Sequence, residues 1–206
     1  MSVSVSLPRA LASVFGPAAA DAKEAALERS RALDRFLADI ERRAFKFAQI
    51  AVRDVDDALD IVQDAMLQLA RRYAARPAEE WRPLFYRILR NRIRDCQRRR
   101  AVRARVLAWL PGNSSMEEEI VDPIDAAPDT QLPLGEQIQM DQALAALEAA
   151  VAGLPERQQQ AFMLRTLEGF DVAQTAAAMG CSEGSVKTHY HRAVHSLRGS
   201  LGDLWS

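Results

Sequence analysis

The sequence predicts an all-α protein made of two small helical domains joined by an acidic flexible linker. Its 206 residues suffice for one or two domains. Ala, Leu, Arg, Glu and Gln predominate and β-branched residues are sparse, which favours helices. The formal net charge of −1 hides two blocks of opposite sign. Thirteen arginines and three acids lie between Arg71 and Arg105, whereas eight acids and no Lys or Arg lie between Ser114 and Asp141.

Composition excludes several classes of protein. No apolar run reaches the ~18 residues that a membrane span needs. The first 21 residues lack a secretory layout. Cys96 and Cys181 are too few and too far apart for a disulfide framework. No glycine-rich loop that binds phosphates occurs. We therefore expect a reduced, cytoplasmic protein with no membrane contact and no cofactor.

The apolar spacing predicts three helices in the first domain. A long helix begins at Asp21, and a second begins near Asp54. The chain turns around Arg76-Pro77, because proline ends or opens helices. A third helix follows from about Arg82 to Val106.

Prolines and acids interrupt the chain after this domain and predict a linker, beyond which helical patterning resumes near Ile138. The predicted boundaries give an N-terminal extension, a first helical domain, an acidic linker and a second helical domain: residues 1–28, 29–110, 111–137 and 138–206.

The second domain contains the most specific local signal. Asp171–Met179 is predicted as a short helix rich in alanine, and Gly180 suits the left-handed conformation of a tight exit. Ser182 can cap the next helix, which runs from Glu183 to about Leu201. Helix, glycine turn and helix form a helix-turn-helix unit. Its second helix would present polar side chains to a DNA major groove: Ser185, Lys187, Thr188, His191 and Arg192.

The arginine-rich third helix is a candidate nucleic-acid surface. Its basic face would contact phosphates, with the amide of Asn91 able to bond a base edge. The alternative is a solvated surface, but most of these arginines lack the acid four residues away that usually accompanies such a surface. The residues of this face are Arg87, Arg90, Asn91, Arg94, Arg98 and Arg99.

Asp57, Asp60 and Asp64 fall on one polar face of the second helix. Carboxylates along one straight helix cannot wrap a cation as a loop does, which disfavours a metal site. Two interpretations remain open, an acidic docking face for a basic protein and a plain solvated face.

Histidines are concentrated on the last helix. His191 and His195 are four residues apart and could share a metal, but no H-E-x-x-H or paired-cysteine motif accompanies them. Surface or DNA-facing histidines are the better interpretation, also for His189 and for the nearby Cys181. No nucleophile lies beside an identifiable base, so we expect no enzyme and no metal centre.

The residues carry a family resemblance. The run DDALDIVQDAMLQLARRY, followed by W-x-x-LFYRILRNRIRD-x-x-RRR, resembles region 2 of bacterial RNA polymerase sigma factors of the sigma-70 family. Residues 154–201 are similar to their region 4. The two segments cover about two thirds of the chain and look most like the extracytoplasmic-function (ECF) group.

The resemblance implies a role for each charged block. In the family, the second helix docks on the β′ coiled coil of core polymerase, which carries over to Asp57, Asp60, Gln63 and Asp64. The third helix recognises and opens the −10 element, and Asn91 stands at the base-contacting position. The loop that holds a flipped base in relatives corresponds to the short segment Ala74–Glu80.

Region 4 of the family recognises the −35 element with its last helix. The resemblance therefore assigns −35 recognition to Ser182 and to the five polar positions of the predicted last helix: Ser185, Lys187, Thr188, His191 and Arg192. The linker is expected to thread the polymerase active-site cleft. The implied partners are core RNA polymerase (β′ coiled coil and β flap), promoter DNA and an anti-sigma factor.

The predicted function is therefore a sigma factor that directs promoter-specific transcription initiation. The alternative is a stand-alone helix-turn-helix regulator, which would bind its operator tightly without polymerase. A third hypothesis, a metal-dependent enzyme using the histidines, predicts stoichiometric metal in the purified protein.

Overall fold

A computed structural model describes residues 17–109 and 134–202, and these residues form helices and turns without strands. The first domain consists of three helices, and the second of four helices with a short π-helical segment. In chain order they are α1 (Pro17–Val52), α2 (Val55–Tyr73), α3 (Ala78–Trp109), α4 (Leu134–Ala152), α5 (Glu156–Phe162), the π segment (Met163–Leu167), α6 (Val172–Met179) and α7 (Glu183–Leu201). The prediction of an all-α fold with two helical domains is confirmed.

A tight break separates α1 from α2. Arg53 adopts a left-handed conformation with φ of 55°, which ends α1 at Val52. Asp54 then caps α2, because its carboxylate accepts a hydrogen bond of 2.8 Å from the backbone N–H of Asp57. The predicted start of the second helix is thus confirmed by its cap.

The predicted starts of α1, α3 and α4 were each four residues too late. The first helix begins at Pro17 rather than Asp21, since proline suits the first helical position. The third begins at Ala78 rather than Arg82, with acids in its first turn that favour the helix dipole. Pro83 is accommodated inside it.

Helix α4 begins at Leu134, directly after a proline, so the last four residues of the predicted linker are helical. The rest of that linker and the first 16 residues of the N-terminal extension lie outside the described residues.

The core of the first domain is built from aromatic residues on α3 and α1. Phe85 and Tyr86 are fully buried and meet edge to face, with ring centroids 5.4 Å apart. Phe47 packs on Tyr86 at the same centroid distance, 5.4 Å. This packing fixes one face of α3 inward and leaves its opposite face at the surface.

The predicted helix-turn-helix is present. Asp171 and Gln174 form a reciprocal capping box at the start of α6. Gly180 follows Met179 in the left-handed conformation, with φ of 60°, and the side chain of Ser182 caps α7. The turn is therefore formed by Gly180 and Ser182, the residues predicted from the sequence.

We expect Gly180→Ala to lower the free energy of unfolding by about 1–2 kcal/mol, because a Cβ is disfavoured in the left-handed region. The added Cβ would meet only Arg90 at 3.8 Å, an ordinary contact, so the cost comes from the backbone. Gly199→Ala is the matched control. Its Cβ enters open space inside α7, where alanine stabilises a helix by about 0.5–1 kcal/mol. Thermal unfolding of both variants should therefore shift in opposite directions.

Candidate nucleic-acid and protein interfaces

One face of α3 presents a continuous exposed stripe. Its members follow one another at intervals of four, three and four residues, which places them on one side of a helix. The stripe, called here the α3 stripe, consists of Arg87, Asn91, Arg94 and Arg98. Arg98 makes a long ion pair of 3.8 Å with Asp95 on the same helix. Three cations thus flank one amide in a geometry suited to a nucleic-acid backbone and a base.

Arg90, expected on the same basic face, is placed differently. Its side chain is half-buried and donates to the backbone carbonyl of Met179, the last residue of α6. Arg157 donates to the same carbonyl at 3.0 Å, and Arg90 also donates to Oδ1 of Asn91 at 2.8 Å. Burial, with Arg157 and Arg94 nearby, lowers the pKa of the Arg90 guanidinium. The prediction of an exposed Arg90 was wrong, because a second domain covers this side of α3.

Two neighbouring arginines at the end of the basic run differ in their surroundings. Arg99 is exposed, as predicted. Arg100 instead pairs with Asp54 at 3.0 Å and with Asp57 at 2.5 Å, and donates to the carbonyl of Val52 at 2.7 Å. Arg100 therefore joins α3 to the start of α2.

The exposed face of α7 carries most of the predicted −35 residues. Lys187, Thr188, His191 and Arg192 are exposed. Thr188 also donates to the Gly184 carbonyl at 3.0 Å.

Two predicted serines lie at the N-terminus of α7. The hydroxyl oxygens of Ser182 and Ser185 are 2.9 Å apart, and the Ser182 oxygen accepts from the Ser185 N–H at 3.2 Å. Ser185 is half-buried. Both serines therefore take part in the N-terminal cap of α7 and also lie next to its exposed face.

The predicted acidic face of α2 is partly neutralised by α3. Asp64 pairs with Arg92 at 3.3 Å. Asp57 accepts from the Cys96 thiol at 3.1 Å, and this bond together with Arg100 holds its carboxyl pKa below the usual range. Burial raises the pKa of the Cys96 thiol to about 11, so it stays protonated as the donor. The Asp57 carboxylate is therefore paired within the chain and is not a free docking group.

Asp60 and Gln63, the other two residues carried over to this face, are exposed. Asp60 has no ion-pair partner among the residues that the structure describes. The free polar part of the α2 surface is thus smaller than the sequence indicated.

A groove between α1 and α2 was missed by the sequence reasoning. It has a volume of about 720 Å³ and is lined from α1 by Phe45 and from α2 by Leu59, Gln63 and Leu67. Leu59 is 52% exposed and Leu67 45%, and the two leucines lie eight residues apart on one face of α2. The signal available in the sequence was Leu59 itself, which is out of phase with the buried stripe of α2. We call this surface the α1/α2 groove.

Comparisons with known proteins identify the family. The model of sigma-70 region 4 matches residues 144–197. The ECF RNA polymerase sigma factor SigL of Mycobacterium tuberculosis is 31% identical over 199 residues, which cover 94% of this chain and 98% of SigL. The chain belongs to the ECF sigma factors. The RNA polymerase sigma-E factor of Streptomyces antibioticus is 32% identical and covers 73% of each chain.

The fold agrees with that assignment. The sigma factor RpoE, solved in complex with the anti-sigma factor NepR from Bartonella quintana, superposes with a TM-score of 0.61. That match covers 82% of this chain and 96% of RpoE at 23% identity. As an ECF sigma factor the protein binds core RNA polymerase and directs promoter-specific transcription initiation.

The described part of this sigma factor offers neither a metal centre nor a membrane-spanning helix. No group of three or more His, Cys, Asp or Glu side chains converges there as metal ligands. His191 and His195 border a shallow hollow with Gln158. Among the same residues, no helix combines the length and apolar character required to cross a bilayer.

Proposed function

We propose that the first domain, residues 29–110, acts as sigma region 2 and the second, residues 138–206, as region 4, joined through the linker at 111–137. The observation that carries this assignment is the α3 stripe, three cations around one exposed amide on a rigid helix. A helix anchored by buried aromatic residues can hold such groups in fixed positions against DNA.

The α3 stripe binds the −10 element and favours its opening. Arg87, Arg94 and Arg98 neutralise phosphates, which supplies affinity without sequence preference. The Asn91 amide can both donate and accept, so it can bond the edge of an unpaired base. Separating bases costs a few kcal/mol per step, and contacts made only to the unstacked strand offset that cost. Residues 74–77 alone link α2 to α3, so the loop that would hold a flipped base is shorter than the predicted segment Ala74–Glu80.

The exposed face of α7 binds the −35 element as duplex. Lys187 and Arg192 supply cations, and Thr188 and His191 supply hydrogen-bonding groups on a helix that a glycine turn presents at the surface. A helix in the major groove can distinguish base pairs through such groups.

Core polymerase docks on the α1/α2 groove and on the adjacent Asp60. The exposed Leu59 and Leu67 offer apolar area on either side of the Gln63 amide. Interfaces depend mainly on buried apolar anchors, while rim charges set orientation and association rate. The docking role therefore moves from Asp57 and Asp64, which are paired internally, toward the groove.

The sigma factor contributes no catalytic chemistry of its own and works in the cytoplasm, where core polymerase supplies the reaction. RpoE was solved with an anti-sigma factor, and a partner of that class would control this chain in the same way.

The decisive experiment combines a core-polymerase pull-down with run-off transcription from a promoter library. We expect co-elution with core and transcripts that depend on the protein. Tight binding of a specific duplex without core, together with no core association, would instead identify a stand-alone regulator.

Arg98 and Arg100 provide a matched test of the α3 surface. Replacing Arg98 by Gln should lower the salt slope of holoenzyme binding to promoter DNA by about one, the loss of one phosphate contact. Arg100→Gln should leave that slope unchanged, because Arg100 is bonded to α2. It should instead destabilise the fold by about 1 kcal/mol, or about 2–4 °C. Equal effects of both variants on the slope would contradict the assignment.

A further inference from the structure

A shallow hollow lies between α5 and α7, next to the proposed −35 surface. It has a volume of about 400 Å³ and is lined by one residue of α5 and four residues of α7. The four α7 residues form two pairs spaced four residues apart, so they share one side of the helix on two successive turns. We call this feature the α5/α7 hollow. Its lining residues are Gln158, His191, Arg192, His195 and Ser196.

Every side chain that lines the α5/α7 hollow carries a hydrogen-bond donor, and none carries a negative charge. Arg192 supplies a guanidinium, the two histidines supply imidazole N–H groups, Gln158 supplies an amide and Ser196 supplies a hydroxyl. None of these side chains forms a hydrogen bond or an ion pair within the part of the chain that the structure describes. Donors from two helices are therefore available to a single ligand.

The composition of the hollow favours an oxyanion over a metal ion. Metal ions are bound by carboxylates, thiolates or neutral imidazoles, and the guanidinium of Arg192 beside the two histidines would repel a cation. The oxygens of a phosphate instead accept hydrogen bonds from guanidinium, imidazole, amide and hydroxyl groups alike. Such charge-assisted bonds are about twice as strong as bonds between neutral groups. The ligand class that fits the hollow is therefore a phosphate group.

The position of the hollow along α7 indicates a phosphate of the DNA backbone. A recognition helix contacts base edges with its N-terminal residues. His195 follows Ser185 by ten residues, which is about 15 Å along the helix axis at about 1.5 Å per residue. The major groove is about 12 Å wide, so side chains that far along the helix meet the backbone at the edge of the groove.

We propose that the α5/α7 hollow binds one backbone phosphate at the edge of the −35 element. Gln158, His195 and Ser196 thereby join Arg192 in a contact that does not depend on base sequence. Because its ligands come from two helices, this contact fixes the orientation of α7 in the groove. The proposal rests on the proposed −35 role of α7 and adds α5 to the DNA interface.

The test uses holoenzyme assembled from core polymerase and the full chain, bound to duplexes recovered from the promoter library. The double variant Arg192→Gln/His195→Gln removes the cation and one imidazole from the hollow. We expect its affinity to fall about ten-fold, by the same factor on every promoter, and its salt slope to fall by about one. His189→Gln is the matched control, because His189 lies on the same helix but does not line the hollow. It should leave both quantities unchanged.

Methylphosphonate substitution identifies the phosphate that is bound. This substitution replaces one non-bridging oxygen by a methyl group, so the linkage keeps its place in the strand but loses its charge. Placed at single linkages through the −35 element and its flanks, it should weaken wild-type binding about ten-fold at the linkage that enters the hollow. At that linkage it should have no further effect on the double variant, because the two changes remove the same contact.

Single substitutions test the other two ligands at the same linkage. Gln158→Ala and Ser196→Ala should each reduce the effect of the methylphosphonate there. Ser200→Ala removes the same hydroxyl one turn beyond Ser196, outside the hollow, and should not reduce it.

Three results would overturn the proposal. In the first, the effects of the methylphosphonate and of the double variant add at every linkage. In the second, the double variant changes the order of preference among promoters, which would make the hollow a base-reading site. In the third, the double variant weakens core binding but not promoter binding by the assembled holoenzyme, which would assign the hollow to an acidic protein partner.

A titration of the full chain with inorganic phosphate distinguishes a free anion from the DNA backbone. The imidazole resonances of His195 report on occupancy of the hollow. Saturable binding of inorganic phosphate, without coupling to any DNA linkage, would indicate a soluble phosphate ligand and would contradict the DNA contact.

Lys187→Ala separates the proposal from the function on which it rests. If Lys187→Ala weakens promoter binding and the hollow variants do not, α7 still binds the −35 element and only the phosphate site is rejected. If neither change weakens promoter binding, the −35 role of α7 is rejected as well.

Discussion

Replacing Asn91 by Ala should reduce the yield of open promoter complex about ten-fold while leaving closed-complex binding nearly unchanged. A side chain that bonds a base edge contributes about 1–3 kcal/mol of discrimination, and this contact forms only once the strands separate. The residue is exposed, so the fold should tolerate the change within about 0.5 kcal/mol. Permanganate reactivity of unpaired thymines measures opening, and gel shift at low temperature measures the closed complex.

Arg99→Ala is the comparison variant on the same helix. Arg99 is exposed next to the stripe, and loss of a phosphate contact should weaken both stages alike. An Asn91 variant that also loses closed-complex binding to the same extent as opening would show that its amide does not act in melting.

Leu59→Asp combined with Leu67→Asp should weaken core binding at least 100-fold and abolish transcription dependent on the protein. Both leucines are about half-exposed, so their replacement leaves the helical core intact. An interface that buries them would have to desolvate two carboxylates among apolar groups, which is strongly unfavourable. Fluorescence titration of labelled protein with core polymerase measures the loss.

Leu27→Asp is the matched control for the groove. Leu27 is 51% exposed on α1, eleven residues before the first groove residue of that helix, Ala38. Its substitution places one carboxylate at a similarly exposed leucine, against two in the groove variant, and should leave core binding unchanged. Equal losses in the control and in the groove variant would place the docking surface elsewhere.

Local features of the fold were predictable because local chemistry decides them. Asp54 caps α2 and Gly180 forms the turn, and each needs only its own neighbours along the chain. The outward position of Asn91 follows from helical periodicity within one domain. Helix starts were less predictable, because α1 and α3 begin at Pro17 and Ala78, where no apolar pattern marks the first turn.

Contacts between residues far apart along the chain could not be predicted from the sequence pattern. Periodicity places Arg90 near the stripe, but only the packing of α6 on α3 decides that it meets a backbone carbonyl instead of solvent. The same holds for Asp57, whose partner Arg100 lies 43 residues away along the chain. The α1/α2 groove likewise arises between two helices, and neither helix pattern contains it alone.

The three bonds that Arg100 makes to Val52, Asp54 and Asp57 have a mechanical consequence. They connect α2 to α3 at the end opposite the four-residue turn, residues 74–77. The two helices are therefore joined at both ends. We therefore expect a large molecule that binds at the groove to move α3 together with α2, because Arg100 and the four-residue turn hold the two helices together at both ends.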